Sequence, residues 1–383
     1  MVLLRNANIY SPESIGMQNM LIAAGKIIAV SADEIELPES LEVEIIDLQG
    51  KTLIPGFIDC HAHITGGGGE SGFSSQVAEV PVEEFTNVGV TTVVGLLGTD
   101  DTTRSTENLL ARVYALRELG LSAYCWTGGY HLPLTTLTGS AKKDMVYLEP
   151  VIGIGEFAIS DHRSSQPIFD EVVRLASEAH VAGLLTGKAG VIHFHLGDGE
   201  RKVELIQRAL KETEIPARTF HATHVNRNIP LFEDCCGLLE KGCYIDITAF
   251  PKGTADPGVE ADQAVIEIIQ KKLPLSQVTI SSDGGGCLPC FNQQGEITHM
   301  DTGSAETLIQ TLQSLLAAQQ DLATVLPLFT ENVAQLLRFK TKGRIATGYD
   351  ADLIILNQDN QISDVMGGGR WFVQKGKPTG KNN

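Results

Sequence analysis

The spacing of apolar residues divides the chain into three regions. Residues 1–50 hold short strand-like runs separated by Pro, Ser or Gly turns. From Thr52 onwards, apolar runs alternate with amphipathic helical segments, a pattern typical of βα units around a parallel sheet. After about Lys342 the chain is strand-like again, with apolar runs at 352–356 and 370–373 separated by glycines 367–369.

The middle region predicts the strands of a (β/α)8 barrel. Its candidate strands are 53–58, 90–96, 122–126, 151–157, 191–195, 219–222, 243–247 and 278–282. After the last strand, Leu308, Leu312, Leu315 and Leu316 follow the i, i+4, i+7, i+8 spacing of one helix face. The sequence therefore predicts an α/β protein of the TIM-barrel type.

The two ends of the chain predict a second, smaller domain. Because the ends of a barrel lie near each other, residues 1–50 and 342–383 can pair into one small β-sandwich domain, with the barrel at 51–341. A simpler alternative is that the C-terminal stretch forms only a hairpin on the barrel surface.

Composition excludes several classes of protein. The chain has 383 residues, of which 47 are acidic and 29 basic, giving a formal charge of −18. So acidic a chain is poorly suited to bind nucleic acid or an anionic membrane. No apolar run approaches the roughly 18–20 residues that span a bilayer. Residues 1–6 show no secretion signal, so we expect a cytoplasmic location, where the seven cysteines stay reduced.

The first chemical signal is a histidine pair at the end of the first barrel strand, in PGFIDCHAH at 55–63. Side chains two residues apart on a strand point the same way, so His61 and His63 both face the barrel axis. Two imidazoles on one face can bind zinc. The same alternation predicts that Cys60 points to the opposite face and only packs there.

Later strand ends supply further ligand-type side chains, namely Glu156, His195, His224 and Asp283. Five different strands thus deliver such groups to the carboxyl-terminal face of the barrel, where barrel active sites form. The sequence predicts a metal centre there. His193 and His221 lie deeper in their strands, and for His193 we expect a packing or supporting role.

These residues resemble the amidohydrolase superfamily and, within it, the isoaspartyl dipeptidases. The superfamily pattern is the His61/His63 pair, a bridging carboxylate, His195, His224 and Asp283. More specific to the dipeptidases are GGGGE at 66–70, TGGYH at 127–131, AISDHRS at 158–164 and THVNRN at 223–228. The similarity extends to GYDADL at 348–353 and so covers essentially the whole chain.

The resemblance implies two Zn²⁺ ions per subunit that share a bridging hydroxide as the nucleophile. His61 and His63 would hold one ion, with Asp283 beside it, and His195 and His224 would hold the other. Asp283 would take a proton from the hydroxide and pass it to the leaving amine. Better-known members bridge the ions with a carboxylated lysine. Glu156 stands at the matching position here, with the same charge on a shorter side chain.

The resemblance also implies a pocket for a dipeptide. Glu70 would bind the α-amine, Arg163 and Arg227 the carboxylates, and Tyr130 would donate a hydrogen bond to the oxyanion. Two further contacts are expected from Thr99 and from Cys287, where the family has a serine. Two alternatives stay open at this point: Arg163 pairs only with an acidic neighbour such as Asp161, and Cys287 forms a CxxC unit with Cys290.

The sequence thus favours a zinc-dependent enzyme that hydrolyses isoaspartyl (β-aspartyl) dipeptides. An alternative is another amidohydrolase reaction on cyclic amides or N-acyl amino acids, of the dihydroorotase, hydantoinase or deacylase type. A non-catalytic scaffold is a third reading, but it predicts missing ligands. The partner is expected to be a small-molecule substrate, and the resemblance implies a homo-oligomer.

Overall fold

The computed structural model describes residues 1–254, 258–291 and 297–379, with backbone only for 289–291 and 297–300. The first strands are β1 (Val2–Tyr10), β2 (Ser14–Ala23), β3 (Lys26–Ser31), β4 (Glu44–Asp47) and β5 (Thr52–Pro55). They are followed by β6 (Phe57–Ala62), β7 (Val90–Gly95), β8 (Ser122–Thr127), β9 (Val151–Ile159), β10 (Ile192–Leu196), β11 (Phe220–Thr223), β12 (Tyr244–Thr248) and β13 (Val278–Ser281). The last are β14 (Cys287–Phe291), β15 (Ile297–Thr302), β16 (Leu353–Leu356), β17 (Ile362–Gly367), β18 (Arg370–Gln374) and β19 (Lys377–Pro378).

Helices connect most of the central strands. They are α1 (Glu83–Thr86), α2 (Thr106–Glu118), α3 (Ala141–Tyr147), α4 (Phe169–Thr186), α5 (Glu204–Glu212), α6 (Ile229–Leu239), α7 (Ala261–Gln270), α8 (Glu306–Ala317), α9 (Leu322–Val325) and α10 (Glu331–Leu337). Ser105, Ser140 and Asn228 cap α2, α3 and α6, because each side chain accepts a hydrogen bond from a backbone N–H of the first turn.

Strands β6 to β13 form one parallel sheet in chain order, which confirms the predicted barrel. The sheet closes where β13 returns to β6: the backbone N–H of Asp283 donates to the carbonyl of His61 over 3.1 Å, and that of His63 donates to Gly284 over 2.7 Å. The barrel strands are almost entirely buried, as expected for a sheet covered by helices. The predicted face of α8 is also confirmed, since Leu308, Leu312 and Leu315 are buried and Leu316 is partly buried against the same core.

The prediction of one strand at 53–58 is wrong, because two strands meet there at Gly56. Before it, Leu53 pairs with Ile355 across the antiparallel β5–β16 edge. After it, Phe57 pairs with Val90 in the barrel. Both halves are apolar and buried, so the residue pattern alone gives no sign of a change of sheet. A Cβ at Gly56 would lie 2.2 Å from Thr91 Oγ1, so the crossing requires glycine.

Strands from both ends of the chain form a separate small β domain. They follow the order β19–β18–β17–β16–β5–β1–β2–β3, with β4 beside β1. Its apolar core includes Leu4, Ile9, Met20, Leu353 and Ile355. The domain boundaries at 50/51 and 341/342 remain predictions. Within the described part of the chain, no helix is long and apolar enough to cross a membrane.

Candidate metal centre and active site

The six predicted metal ligands lie together at the carboxyl-terminal end of the barrel, and each is less than a tenth exposed. Five come from the end of a strand or the residue or two after it, and these are His61 and His63 at β6 and His195, His224 and Asp283 at β10, β11 and β13. Glu156 lies within β9, three residues before its end. Parallel strands of a barrel end at one rim, so residues far apart in sequence meet there.

One half of the cluster is formed by the β6 histidines and Asp283. The Oδ1 atom of Asp283 lies 3.0 Å from His63 Nε2 and 3.3 Å from His61 Nε2. The Oε2 atom of Glu156 faces the same pair, at 3.6 Å from His61 Nε2 and 3.9 Å from His63 Nε2. Four ligand-type groups therefore point at one small volume.

The other half is formed by His195 and His224 around the second oxygen of Glu156. Oε1 lies 2.7 Å from His195 Nδ1 and 3.0 Å from His224 Nε2. Glu156 thus presents one oxygen to each pair of histidines, which is the arrangement expected of a bridging carboxylate. Its shorter side chain compared with a carboxylated lysine still reaches both pairs.

The donor set fits divalent cations. Among the described residues, three buried atoms at this point have no hydrogen-bond partner, namely His61 Nε2, Glu156 Oε2 and Asp283 Oδ1. Buried polar atoms are nearly always paired, so unpaired ones that face each other are suited to bind a cation. Imidazole nitrogens with carboxylate oxygens are ligands that zinc accepts.

The electrostatics of the cluster also favour a positive charge. Burial opposes ionisation of Asp283, yet the imidazoles of His61 and His63 hold its pKa well below the ordinary value. Burial likewise disfavours a charge on His61, but Glu156 and Asp283 raise its pKa to about 9. Two buried carboxylates thus attract a cation into this volume.

Local backbone geometry aims these side chains. His224 and Asp283 have φ angles of 59° and 54°, in the left-handed region that residues other than glycine rarely adopt. Such conformations concentrate at functional sites. Gly98 leaves room for the imidazole ring of His63, because a Cβ at position 98 would lie 2.5 Å from Cε1 of His63.

The prediction for Cys60 is wrong. Its Sγ atom lies 3.5 Å from Asp246 Oδ1 and 4.0 Å from Thr279 Oγ1, in the barrel interior. The pairing of β6 with β7 is irregular between Asp59 and Ala62, so strict alternation fails just before the histidine pair. This irregularity lets Cys60 and His61 both contact interior groups.

Tyr130 lies at the edge of the cluster. Its hydroxyl is 2.7 Å from His195 Nδ1, and the residue is 5% exposed. Burial and the charge of Glu156 raise the pKa of Tyr130 well above its ordinary value. The phenol therefore keeps its proton and can donate it in a hydrogen bond.

Arg163 joins the predicted pocket to the cluster. Its guanidinium binds Asp161 through Nε and Nη2, at 3.0 and 2.8 Å, and contacts Glu70 through Nη1 at 2.7 Å. Burial opposes its charge, but Tyr130, Asp161 and Glu70 raise the pKa of Arg163. Arg163 therefore pairs with Asp161 and also lies beside Glu70, while its role in binding a substrate carboxylate stays a prediction.

Asp161 was not predicted as a site residue. Its Oδ2 lies 2.8 Å from His195 Nε2, so it connects a candidate ligand to Arg163. Its position just after β9, two residues before Arg163, was the available signal.

The remaining pocket residues are less constrained. Arg227 is 3.8 Å from Asp198, and within the described ranges its buried Nε has no hydrogen-bond partner. Thr99 is partly exposed beyond β7. Burial and the charge of Glu70 raise the pKa of Cys287 to about 11. The proposed Cys287–Cys290 pairing lies outside the description, because the Cys290 side chain is not described.

The amidohydrolase family model matches residues 52–372. The chain therefore belongs to the amidohydrolase family, and it is a metal-dependent hydrolase. Among the described residues, three buried sets of ligand-type side chains whose ligand atoms lie within 4.8 Å of one another are drawn from these six residues, and a fourth consists of Cys60, His221 and Asp246.

Among solved structures, the chain is similar to a β-aspartyl dipeptidase from Fervidobacterium islandicum AW-1 in complex with β-Asp-Leu dipeptide. The two share 40% identity with a TM-score of 0.94, over 100% of this chain and 98% of that one. A D-hydantoinase from Thermus sp. matches at 18% identity and a TM-score of 0.67, over 100% and 97% of the two chains, which supports the fold alone.

Curated relatives are more distant. An allantoinase from Desulfitobacterium hafniense is 23% identical over 94% of this chain and 87% of its own length. An imidazolonepropionase from Fusobacterium nucleatum is 33% identical, but the match covers 36% of this chain and only 35% of that protein. The chain thus spans about a third of the length of that relative.

Proposed function

We propose that this chain is a zinc-dependent β-aspartyl dipeptidase. The observation that carries the proposal is the contact chain from the cluster to the pocket. His195 touches Asp161, Asp161 binds Arg163, and Arg163 binds Glu70. A pocket with fixed positive and negative groups beside metal ligands suits a substrate charged at several positions. The full-length similarity to a β-aspartyl dipeptidase supports the same substrate.

The charges of the pocket match those of an isoaspartyl dipeptide. This substrate carries an amine and an α-carboxylate on its first residue and a second carboxylate at its end. Glu70 is assigned to the amine, and Arg163 and Arg227 to the carboxylates. Glu70 and Arg163 are 2.7 Å apart. When the substrate binds, they separate from each other, and each binds one charged group of the substrate instead.

Two divalent ions are assigned to the cluster. His61, His63 and Asp283 would hold one, His195 and His224 would hold the other, and the Glu156 carboxylate lies between the two pairs of histidines. When bound, such a pair supplies an activated water and polarises the scissile carbonyl.

The chain's own residues supply the remaining chemistry. The Asp283 carboxylate accepts the proton that the water loses and returns it to the leaving amine. The Tyr130 hydroxyl, which stays protonated, donates a hydrogen bond to the oxygen on which negative charge develops. Arg227 and Arg163 orient the substrate so that its amide lies over the cluster.

A substrate panel tests the proposal. The purified protein is stripped of metal with a chelator, reloaded with zinc and assayed on β-Asp-Leu, α-Asp-Leu, hydantoin and an N-acetyl amino acid. We expect turnover of β-Asp-Leu that needs zinc, and kcat/KM for α-Asp-Leu lower by about 100-fold or more, because each misplaced charge leaves a buried partner unpaired.

Preference for hydantoin or the N-acetyl amino acid would overturn the substrate assignment and leave the family intact. Metal analysis provides the second arm. Close to two zinc ions per chain are expected, and fewer than one would overturn the binuclear arrangement.

A further inference from the structure

A row of hydrogen bonds runs from a candidate metal ligand down the barrel interior. His61 Nδ1 lies 2.8 Å from His193 Nε2, and His193 Nδ1 lies 2.8 Å from His221 Nδ1. His221 Nε2 is 3.0 Å from Thr279 Oγ1, which is 2.6 Å from Asp246 Oδ1. All five residues are 0% exposed, so water does not compete for these contacts.

The carboxylate at the far end gives this row a direction. Asp246 also accepts hydrogen bonds from the hydroxyls of Thr223 and Ser281, so it acts as an acceptor. The Thr279 hydroxyl has Asp246 at 2.6 Å and the carbonyl of Ile245 at 3.4 Å. Its proton therefore points at Asp246, and its oxygen is left to accept a hydrogen bond from His221.

Each neutral ring then sets the tautomer of the next, because a neutral imidazole has one N–H donor and one acceptor nitrogen. His221 donates from Nε2, so its Nδ1 accepts the N–H of His193 Nδ1. His193 Nε2 then accepts from His61 Nδ1. Burial lowers the pKa of His221 to about 4, in keeping with a neutral ring.

We propose that His193 and His221 are positioning residues that transmit a fixed proton order from Asp246 and Thr279 to His61. The Nδ1 atom of His61 is thereby held as the donor to His193, so Nε2, which faces Glu156 and Asp283, is the nitrogen that would give up its proton to bind a metal ion. The consequence for zinc binding rests on the metal centre of the proposed function. Partners behind a metal-bound histidine commonly fix its tautomer, and their loss costs about 10–100-fold in metal affinity.

Trp126 holds the middle of the row in place. Its ring stacks on His193 with centroids 5.0 Å apart and planes 8° apart, and its indole N–H donates to the carbonyl of Cys60 over 3.0 Å. This packing fixes the plane of His193 but leaves its proton position open. Packing and proton order are therefore separable by experiment.

The test compares Thr279→Val with Thr279→Ser. Valine removes the acceptor of the His221 Nε2 proton, so we expect that proton to move to Nδ1 of His221. His193 Nδ1 must then accept a hydrogen bond from His221, and the proton of His193 moves to Nε2. His193 Nε2 then donates to His61 Nδ1, so the proton that His61 keeps is on Nε2, the nitrogen that faces the candidate metal site. Serine keeps the hydroxyl and restores the order. Thr92→Val is the matched control, because Thr92 is equally buried on a barrel strand and its hydroxyl has no hydrogen-bond partner in the described ranges.

Two measurements follow the effect. Nitrogen-15 NMR of histidine-labelled, metal-free full-length protein reports the tautomer of each ring, and chelator competition reports zinc affinity. In the wild type we expect one ring proton on each of the two inner histidines, on Nδ1 of His193 and on Nε2 of His221. Thr279→Val should change these tautomers and weaken binding of one zinc ion by about 10–100-fold. Thr279→Ser and Thr92→Val should match the wild type.

If the wild-type rings carry their protons on other nitrogens, the proposed proton order is wrong. This measurement does not depend on whether any variant folds. Equal zinc affinity in Thr279→Val and Thr92→Val would overturn the proposed proton order as well. If the protein shows the expected tautomers but binds no zinc, the proposed proton order is supported and the zinc-dependent function is overturned. Failure of one proposal can therefore be distinguished from failure of the other.

Discussion

The two halves of the candidate site are built differently. The metal half stands on strand ends, is almost fully buried, and leaves atoms such as His61 Nε2 and Asp283 Oδ1 without partners among the described residues. The pocket half stands on loops, and its Arg163 and Glu70 side chains are 23% and 25% exposed. These two groups already satisfy each other at 2.7 Å.

The two halves therefore differ in how much they must rearrange to bind a cation or a substrate. The metal half already brings its ligand-type side chains together in a buried position, so cation binding requires little rearrangement. The pocket half must give up internal ion pairs before it can bind a substrate, so a substrate with only one charge leaves a partner unpaired. Substitutions in the first half should therefore affect turnover or metal content, and those in the second should affect KM.

The largest effect is expected from Asp283→Asn. The amide keeps the size of the side chain but cannot accept and return a proton, so kcat on β-Asp-Leu should fall by about 10²–10⁴-fold. Zinc content should stay near that of the wild type, because five other ligands remain. Metal analysis and steady-state kinetics measure the two quantities on one sample.

Asp359→Asn, at an exposed turn of the terminal sheet, is the matched control and should leave kcat unchanged. An Asp283→Asn variant that holds zinc and turns over normally would remove Asp283 from proton transfer. It would also contradict the expectation that substitutions in the metal half affect turnover or metal content and those in the pocket half affect KM.

A smaller effect, confined to KM, is expected from Arg227→Met. Arg227 is only loosely tied, with Asp198 at 3.8 Å, so its charge is available to a substrate carboxylate. Its loss should raise KM for β-Asp-Leu by about 30-fold, or roughly 2 kcal/mol, with kcat and zinc content preserved. The exposed Arg208→Met variant is the control.

The neutral amide of β-Asp-Leu sharpens this test, because it lacks the terminal carboxylate. If Arg227 binds that group, KM for the amide should hardly change in the variant. Equal losses on both substrates would show that Arg227 acts on the shape of the pocket and not on the charge.

The same contrast explains what the sequence could predict. His61, Glu156 and Asp283 were found because parallel strands end at one rim, so a ligand at each strand end implies a cluster. The direction of Cys60 could not be predicted, because it depends on an irregular pairing of β6 with β7 that leaves no mark in the residue pattern. Asp161 was missed as a site residue, because loop contacts depend on how the loop folds back over the barrel.

The strands outside the barrel show a similar limit. The terminal sheet was expected from apolar runs, but β17 was not recognised. The hairpin of β14 and β15 was not predicted either. The change of sheet at Gly56 depends on its close approach to Thr91, a contact between different parts of the chain that local periodicity does not encode.

The smallest effect is expected from Cys287→Ser, which restores the hydroxyl that the resembled family carries. A hydroxyl is a stronger hydrogen-bond partner than a thiol, and one neutral hydrogen bond contributes about 0.5–1.5 kcal/mol. KM for β-Asp-Leu should therefore fall by about 2- to 10-fold, with kcat and zinc content unchanged. Cys287→Ala is the paired variant and should not lower KM, because alanine cannot form the bond.

If serine and alanine shift KM alike, the Cys287 side chain only fills space beside Gly68, whose Cβ position lies 3.2 Å from the sulfur. The pocket half would then discriminate substrates by its charges alone.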